Sequence, residues 1–387
     1  MSEPVTAFRS EVRAFLEEAW DADRYLPEVR ARGTVAGGPP AGAWHAKLQE
    51  ARLVAPHWPV LYGGRGLGTM ERIVVHEELN RIGAPGPGNP IGLGWAGPTL
   101  LLYGTEEQRS RFLIPIVEGS EMWCQLFSEP NAGSDLASLS TAAVRDGDEF
   151  VVNGQKVWSS LAHESDWGIL LARTNPDAPR HRGITYFLIA MDQPGIEVRR
   201  IRQMTGESEF CEVFFEGARV HADHVVGEVD GGWRVAVGTL ENERLSLSTG
   251  LGILWGSGPP FLRCWEYLLQ GQVDRVGRER ISALWVRFRV LEMMKLRLLE
   301  GSSIEEVSGT AAAAQKLLAD RFGQDAAMMV MGAVPGGGLL WHDPRSIPEW
   351  EDAFLFSRAL TVGGGTEEIQ KNILAERALG LPPDPVP

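Results

Sequence analysis

Glu243, followed by Arg244, stands in GGWRVAVGTLENERLSLSTG at 231–250. On a helix Glu243 shares a face with Thr239, Leu240, Ser246 and Leu247, at offsets of three and four, and Glu241 points nearly opposite. That face is mixed and partly apolar, the sort that lines a pocket. A glutamate on such a face could be buried, and burial raises a carboxyl pKa toward neutrality. Read alone, an E-N-E-R run is a solvated helix face carrying ion pairs. A second group is Gly363, Gly364 and Gly365 ahead of Thr366 and a helical stretch. Backbone N–H groups there can reach an anion or a carbonyl, and a helix N-terminus favours negative charge. In PNAGSD at 130–135, Gly133 and the small Ala132 permit close backbone approach to a ligand.

The elements that must position these residues fall in three blocks. Residues 3–20 and 44–53 carry apolar residues at helical spacing, with a Gly/Pro-rich link at 33–44. Residues 69–82 read as a helix capped by Thr69 with a glutamate shortly inside. Residues 105–117 read as another, capped by Thr105 with two acids in its first turn. Short apolar or β-branched runs follow at 121–128, 149–152, 167–172, 184–190, 196–201 and 210–215. The turn formers PNAGSD, RDGDE, VNGQK, TNPDAPR and DQPG separate them. Helical periodicity returns at 231–252, 259–270, 277–299, 304–333 and 349–378, which points to an antiparallel bundle.

A chain of 387 residues has a prior of two or three domains and can bury a large core. Its net charge of −14 argues against a nucleic-acid groove. Cys124, Cys211 and Cys264 are far apart without CxxC spacing, which suggests neither a disulfide framework nor a zinc site. A reducing, cytoplasmic compartment is the simplest expectation. The N-terminus lacks the apolar core of a signal peptide, and no apolar run is long enough to span a membrane.

WPVLYGGRGLG at 58–68 with YGTEEQRSRFLIPI at 103–116, FSEPNAGSDLASL at 127–139, VNGQKVWSSLAHESDWGILLART at 152–174 and SRALTVGGGTEEIQKNILAERALGLP at 357–382 resemble, in order, segments of the acyl-CoA dehydrogenase family. The resemblance extends over nearly the whole chain. It implies an α+β multidomain fold: an N-terminal helical domain at 1–118, a middle antiparallel β-domain at 119–228 and a C-terminal four-helix-bundle domain at 229–387. It also implies FAD, held by Gln125, Phe127, Ser128, Trp158, Ser159, Ser160, Gly364, Thr366, Glu367 and Glu368. Ser128 would sit by the flavin ring. Trp158 would stack beside the isoalloxazine, and Ser160 would hydrogen-bond near N5. Ser134, Arg244 and Gly364 match substrate positions, with Ser134 facing the ligand's phosphate-bearing end. No metal is expected.

The family's reaction removes the α-proton of an acyl thioester with a carboxylate while the β-hydrogen leaves as hydride. Many members carry that glutamate just before the C-terminal Gly-Thr pair, where this chain has Gly364. A second branch places it on a helix immediately before an arginine, which matches Glu243. The R-x-F-G segment of many members is missing from 266–285, where Arg278 and Arg280 either replace phosphate contacts or sit on a helix surface. After EVFFEGA, Val220-His221 stands where Val-Pro is usual; His163, His221 and His224 read as loop histidines. The resemblance implies reoxidation by an electron-transferring flavoprotein and association as a homotetramer, a homodimer or a heterotetramer with a related subunit. Two other readings compete: a non-catalytic partner subunit, and an oxygen-using acyl-CoA oxidase or flavin monooxygenase.

Overall fold

The computed structural model describes residues 3–25, 42–248, 261–270, 274–300, 309–333 and 349–383. They fall into two compact units: one from the described residues up to 202 with 208–242, the other from 203–207 with those from 243 on.

The first unit begins with helices α1 (Glu3–Ala19), α2 (Gly42–Glu50), α3 (Thr69–Arg81), α4 (Gly97–Tyr103) and α5 (Glu106–Glu118). Val5, Phe8, Val12 and Leu16 form the buried stripe of α1, at offsets of three and four. Arg9, Arg13 and Arg81 converge on the buried Glu78 of α3 at 2.7–3.0 Å. Arg13, against the opposing pull of burial and together with Arg81 and Arg9, holds the Glu78 carboxyl down at about 2. Thr105 caps α5 as expected: its hydroxyl accepts from Gln108 N at 3.2 Å, and the Gln108 side chain accepts from Thr105 N at 3.1 Å. The cap of α3 corrects the reading of Thr69. Gly68 is the capping residue, and its N–H is met by Glu71 Oε2 at 3.0 Å. The glutamate does the capping, so no hydroxyl is needed. Most of the Gly/Pro-rich link lies outside the described residues.

The sheet that follows contains β1 (Trp123–Leu126), β2 (Ala142–Asp146), β3 (Glu149–Ser160), β4 (Trp167–Arg173), β5 (Ile184–Ala190), β6 (Ile196–Ile201) and β7 (Phe210–His221). Its order is β1-β4-β2-β3-β7-β6, with β5 on β4. Pairing is antiparallel except that β1 runs parallel to β4 and β2 touches β4 in parallel at Ala142 and Arg173. Gly147 and Asp148 make the two-residue turn between β2 and β3, with Gly147 at φ 64°. The strand β2 was not anticipated, and VNGQK is no turn. It lies inside β3, where the register with β7 shifts between Val152 and Asn153. The extra residue is Gly217 of β7, at φ 70°, whose N–H donates to Asn153 Oδ1 at 2.9 Å; on the other side Gly154 at φ 152° passes Thr141, where a Cβ would lie 2.6 Å from Oγ1. Gln108 of α5 donates to the carbonyls of Asp223 and Val225 at 2.7 and 2.8 Å, tying the helices to the sheet.

The last element begun in this unit is α6 (Gly232–Ser248), which runs on past residue 242. The second unit adds α7 (Phe261–Gln270), α8 (Arg275–Glu300), α9 (Gly309–Ala333), α10 (Glu349–Phe356) and α11 (Glu367–Ile373). Leu268, Ile281 and Val330 form one buried cluster, and Leu284, Phe322 and Ala326 another. Lys316 pairs with Asp320 at 2.7 Å, both fully buried, and also donates to the Leu360 carbonyl at 3.2 Å. Burial pushes the Asp320 carboxyl up to about 6, against the attraction of Lys316.

Candidate active site

The expected cofactor residues of the first unit gather at one end of β1 and β3. Val157 N donates to the Ser128 carbonyl at 2.9 Å, so the chain beyond β1 lies against the end of β3. Beneath this contact sits a buried ion pair that the sequence reading passed over. Lys156 Nζ lies 2.8 Å from Glu129 Oε1 and donates to the Phe127 carbonyl at 2.9 Å. Glu129 also accepts from Ser140 N, Ser140 Oγ and Thr141 N at 2.7–2.9 Å. Burial pushes the Glu129 carboxyl up, but Lys156 and these donors override it and hold it at about 2. Both residues stand in the quoted motifs, as the acid of SEP and the lysine of NGQK. Charge in a strand reads as solvent-facing, and only the pairing of the two motifs could have revealed them.

A second irregularity of β3 turns Trp158 outward. The register with β7 slips again between Lys156 and Ser159, and Trp158 takes a left-handed backbone at φ 62°. That conformation is an outlier for a bulky residue and marks a site where the surroundings impose it. The indole is 59% exposed, edge-on to Phe210 at 5.9 Å. Next to it, Ser159 is fully buried and its hydroxyl has no hydrogen-bond partner. Ser160 is half-buried and paired with Phe210. Phe127 is buried, edge-on to Tyr186 at 5.8 Å. Gln125 and Ser128 are half-buried. Ser134 is exposed, and a Cβ on Gly133 would meet nothing within 4 Å, so the backbone is open to close approach there. His163 is held by Cys211 Sγ at 3.4 Å, while His224 lies edge-on to Trp167. Among the described residues no group of His, Cys, Asp and Glu could hold a metal.

In the second unit, Gly364 and Gly365 have φ of 66° and 92°. Their carbonyls accept from the buried Gln370 Nε2 at 3.2 and 3.3 Å, which fixes the glycine turn. Thr366 caps α11, accepting from Ile369 N at 3.4 Å. The Glu367 carboxylate pairs with Arg321 and Lys371, and Glu368 is exposed. Arg278 and Arg280 are exposed on α8. On α6, Glu241 is exposed and Glu243 is buried at 8% exposure, the burial difference expected of their two faces. The Arg244 side chain lies outside the described residues.

Residues 2–120, 124–218 and 230–379 match the N-terminal, middle and C-terminal domains of acyl-CoA dehydrogenases. The chain belongs to the acyl-CoA dehydrogenase family and is an oxidoreductase of lipid metabolism. It is 41% identical to the acyl-CoA dehydrogenase IpdE1 of Mycobacterium tuberculosis, over 98% of each chain. The structure resembles that of the Tcur3481-Tcur3483 steroid ACAD, with a TM-score of 0.83 and 28% identity over 99% of each chain. It also resembles a chain of the ChsE4-ChsE5 complex from Mycobacterium tuberculosis, with a TM-score of 0.81 and 27% identity over 99% of this chain and 98% of that one. Among the described residues no helix is long and apolar enough to cross a membrane.

Proposed function

We propose that the chain catalyses FAD-dependent α,β-dehydrogenation of an acyl-CoA thioester, with Glu243 as the base that removes the α-proton. When bound, FAD supplies the hydride acceptor, N5. The observation that carries the cofactor reading is the end of β3. A large indole is held outward in a left-handed conformation beside a buried serine hydroxyl without a partner. Such a pair suits an aromatic ring system with hydrogen-bonding edges. Trp158 would cover the ring and exclude water, with Ser128, Ser159 and Ser160 around it and Phe127 and Gln125 behind. Gly364, Thr366, Glu367 and Glu368 would serve from the C-terminal segment, Glu367 through its backbone because its carboxylate is paired. Ser134 and Arg244 would hold the coenzyme A moiety. Glu243 would keep the α-proton within reach on a face of α6 that is closed to bulk water. The domain boundaries of this reading fall at 118/119 and 228/229. An electron-transferring flavoprotein is the expected acceptor, and the buried thiols of Cys124 and Cys211 suit the cytoplasm.

A second reading is favoured by particular residues. Gly364 replaces the usual base, R-x-F-G is missing, and Arg278 and Arg280 lie exposed on α8. Two similar structures are named for pairs of components. The chain would then be one half of a heteromeric dehydrogenase. The chain purified alone is expected to carry about one flavin per chain. A yield well under half would instead assign part of the cofactor site to a related subunit. Steady oxygen consumption without an added acceptor would point to an oxygen-using relative.

A further inference from the structure

Three buried hydroxyls meet below the α6 face that carries Glu243. Thr239 is fully buried, and its Oγ1 lies 2.8 Å from Thr99 Oγ1 of α4 and 3.2 Å from the Tyr186 hydroxyl of β5. Thr239 also reaches the Val235 carbonyl of its own helix at 3.1 Å. Thr239 Oγ1 thus joins the Thr99 and Tyr186 hydroxyls, one on either side of it. Tyr186 is fully buried and lies edge-on to Phe127, the residue before Ser128. The fit on the next face is equally close: a Cβ on Gly238 would lie 2.6 Å from the Tyr103 hydroxyl.

We infer that Thr239 is a positioning residue for Glu243, fixing the rotation of α6 through this hydroxyl cluster, which ties it to α4 and to β5, whose Tyr186 ring packs edge-on against Phe127. Apolar contacts from Val235 and Ala236 bury the helix but are non-directional. Hydrogen bonds prefer narrow angles and therefore fix a rotation. Glu243 follows Thr239 by four residues, one helical turn along the same face. A carboxylate at the rim of a helix about 5–6 Å in radius moves roughly 2 Å when the helix turns by about 20°. A misplacement of about 1 Å at a reacting centre can cost about a hundredfold in rate. The hydroxyls themselves take no proton from substrate: burial raises the Tyr186 phenol far above its ordinary range.

This inference rests on Glu243 as the base, and its test separates the two. Anaerobic flavin reduction by an acyl-CoA is followed in the flavin-loaded enzyme and in the variants Thr239→Val, Thr239→Ser, Glu243→Gln and Thr239→Val/Glu243→Gln. Thr239→Val is expected to reduce about ten- to a hundredfold more slowly, with flavin content and half-saturating substrate near those of the parent. Thr239→Ser keeps the hydroxyl and most of the rate. In the Glu243→Gln background, Thr239→Val is expected to add no more than about a twofold loss, because its target is already gone. A Thr239→Val enzyme as fast as the parent overturns the inference. So does an equal loss from Thr239→Val in both backgrounds, which would make the residue merely structural. An unimpaired Glu243→Gln enzyme removes the base assignment first. Should Thr239→Val not fold, Thr99→Val takes the same bond away from the α4 side and is expected to give the same pattern.

Discussion

Glu243→Gln is expected to bind flavin as the parent does and to reduce it about 10²–10⁴-fold more slowly when substrate is added, the usual size of a general-base effect. The change is nearly isosteric and removes the carboxylate's charge together with its ability to take a proton. Glu243 is buried, on a helix whose preceding turn is held by Thr239, and Gly364 offers no side chain at the family's other base position. An alternative base would have to come from elsewhere in the chain or from a partner. Stopped-flow absorbance in the flavin band reads the rate directly, and an unimpaired variant would refute the assignment.

Lys156→Met is expected to destabilise the first unit by about 3–5 kcal/mol, the cost of leaving a buried charge without its counter-ion. For a unit of this size that lowers the melting temperature by roughly 10 °C. The larger consequence is local. Lys156 holds both the Glu129 carboxylate and the Phe127 carbonyl, so the stretch through Ser128 loses its anchor and flavin affinity falls with it. Acid should act on the same point. The Glu129 carboxyl sits at about 2 in the folded protein, against 4.5 for an unperturbed glutamate. A depressed carboxyl contributes stability above its unfolded pKa, and that contribution is lost as the pH falls from about 4.5 toward about 2. Melting curves across this range should show the parent losing stability more steeply than Lys156→Met. Equal slopes would mean the pair is not coupled in this way.

Particular residues show what the sequence could and could not disclose. The cap at Thr105 was legible because a hydroxyl and a glutamine three residues on form a local device. The cap at Gly68 was not, because the capping atom belongs to Glu71 and a glycine before a threonine carries no such signal. The five residues of β2 were passed over because AAVRD is short and ends in charge, and only pairing with β3 makes it a strand. VNGQK reads as a turn because Asn-Gly is the strongest short hairpin signal; here it stays inside β3, opposite a bulge at Gly217 of β7, with Gly154 passing close to Thr141. Motif order put Ser128 and Trp158 forward together, and the structure lays the Ser128 backbone against Val157; the face argument separated buried Glu243 from exposed Glu241. The Glu129–Lys156 pair and the Thr99–Tyr186–Thr239 cluster stayed hidden. Each joins residues 27 or more positions apart, and no local pattern records that they meet.

The measurement closest to the central claim is the visible spectrum of the purified, flavin-loaded chain before and after a panel of acyl-CoAs is added without oxygen. Bleaching of the flavin band by one or more of them is predicted, and the most effective would define the acyl class. A yellow protein that no acyl-CoA bleaches would contradict the account.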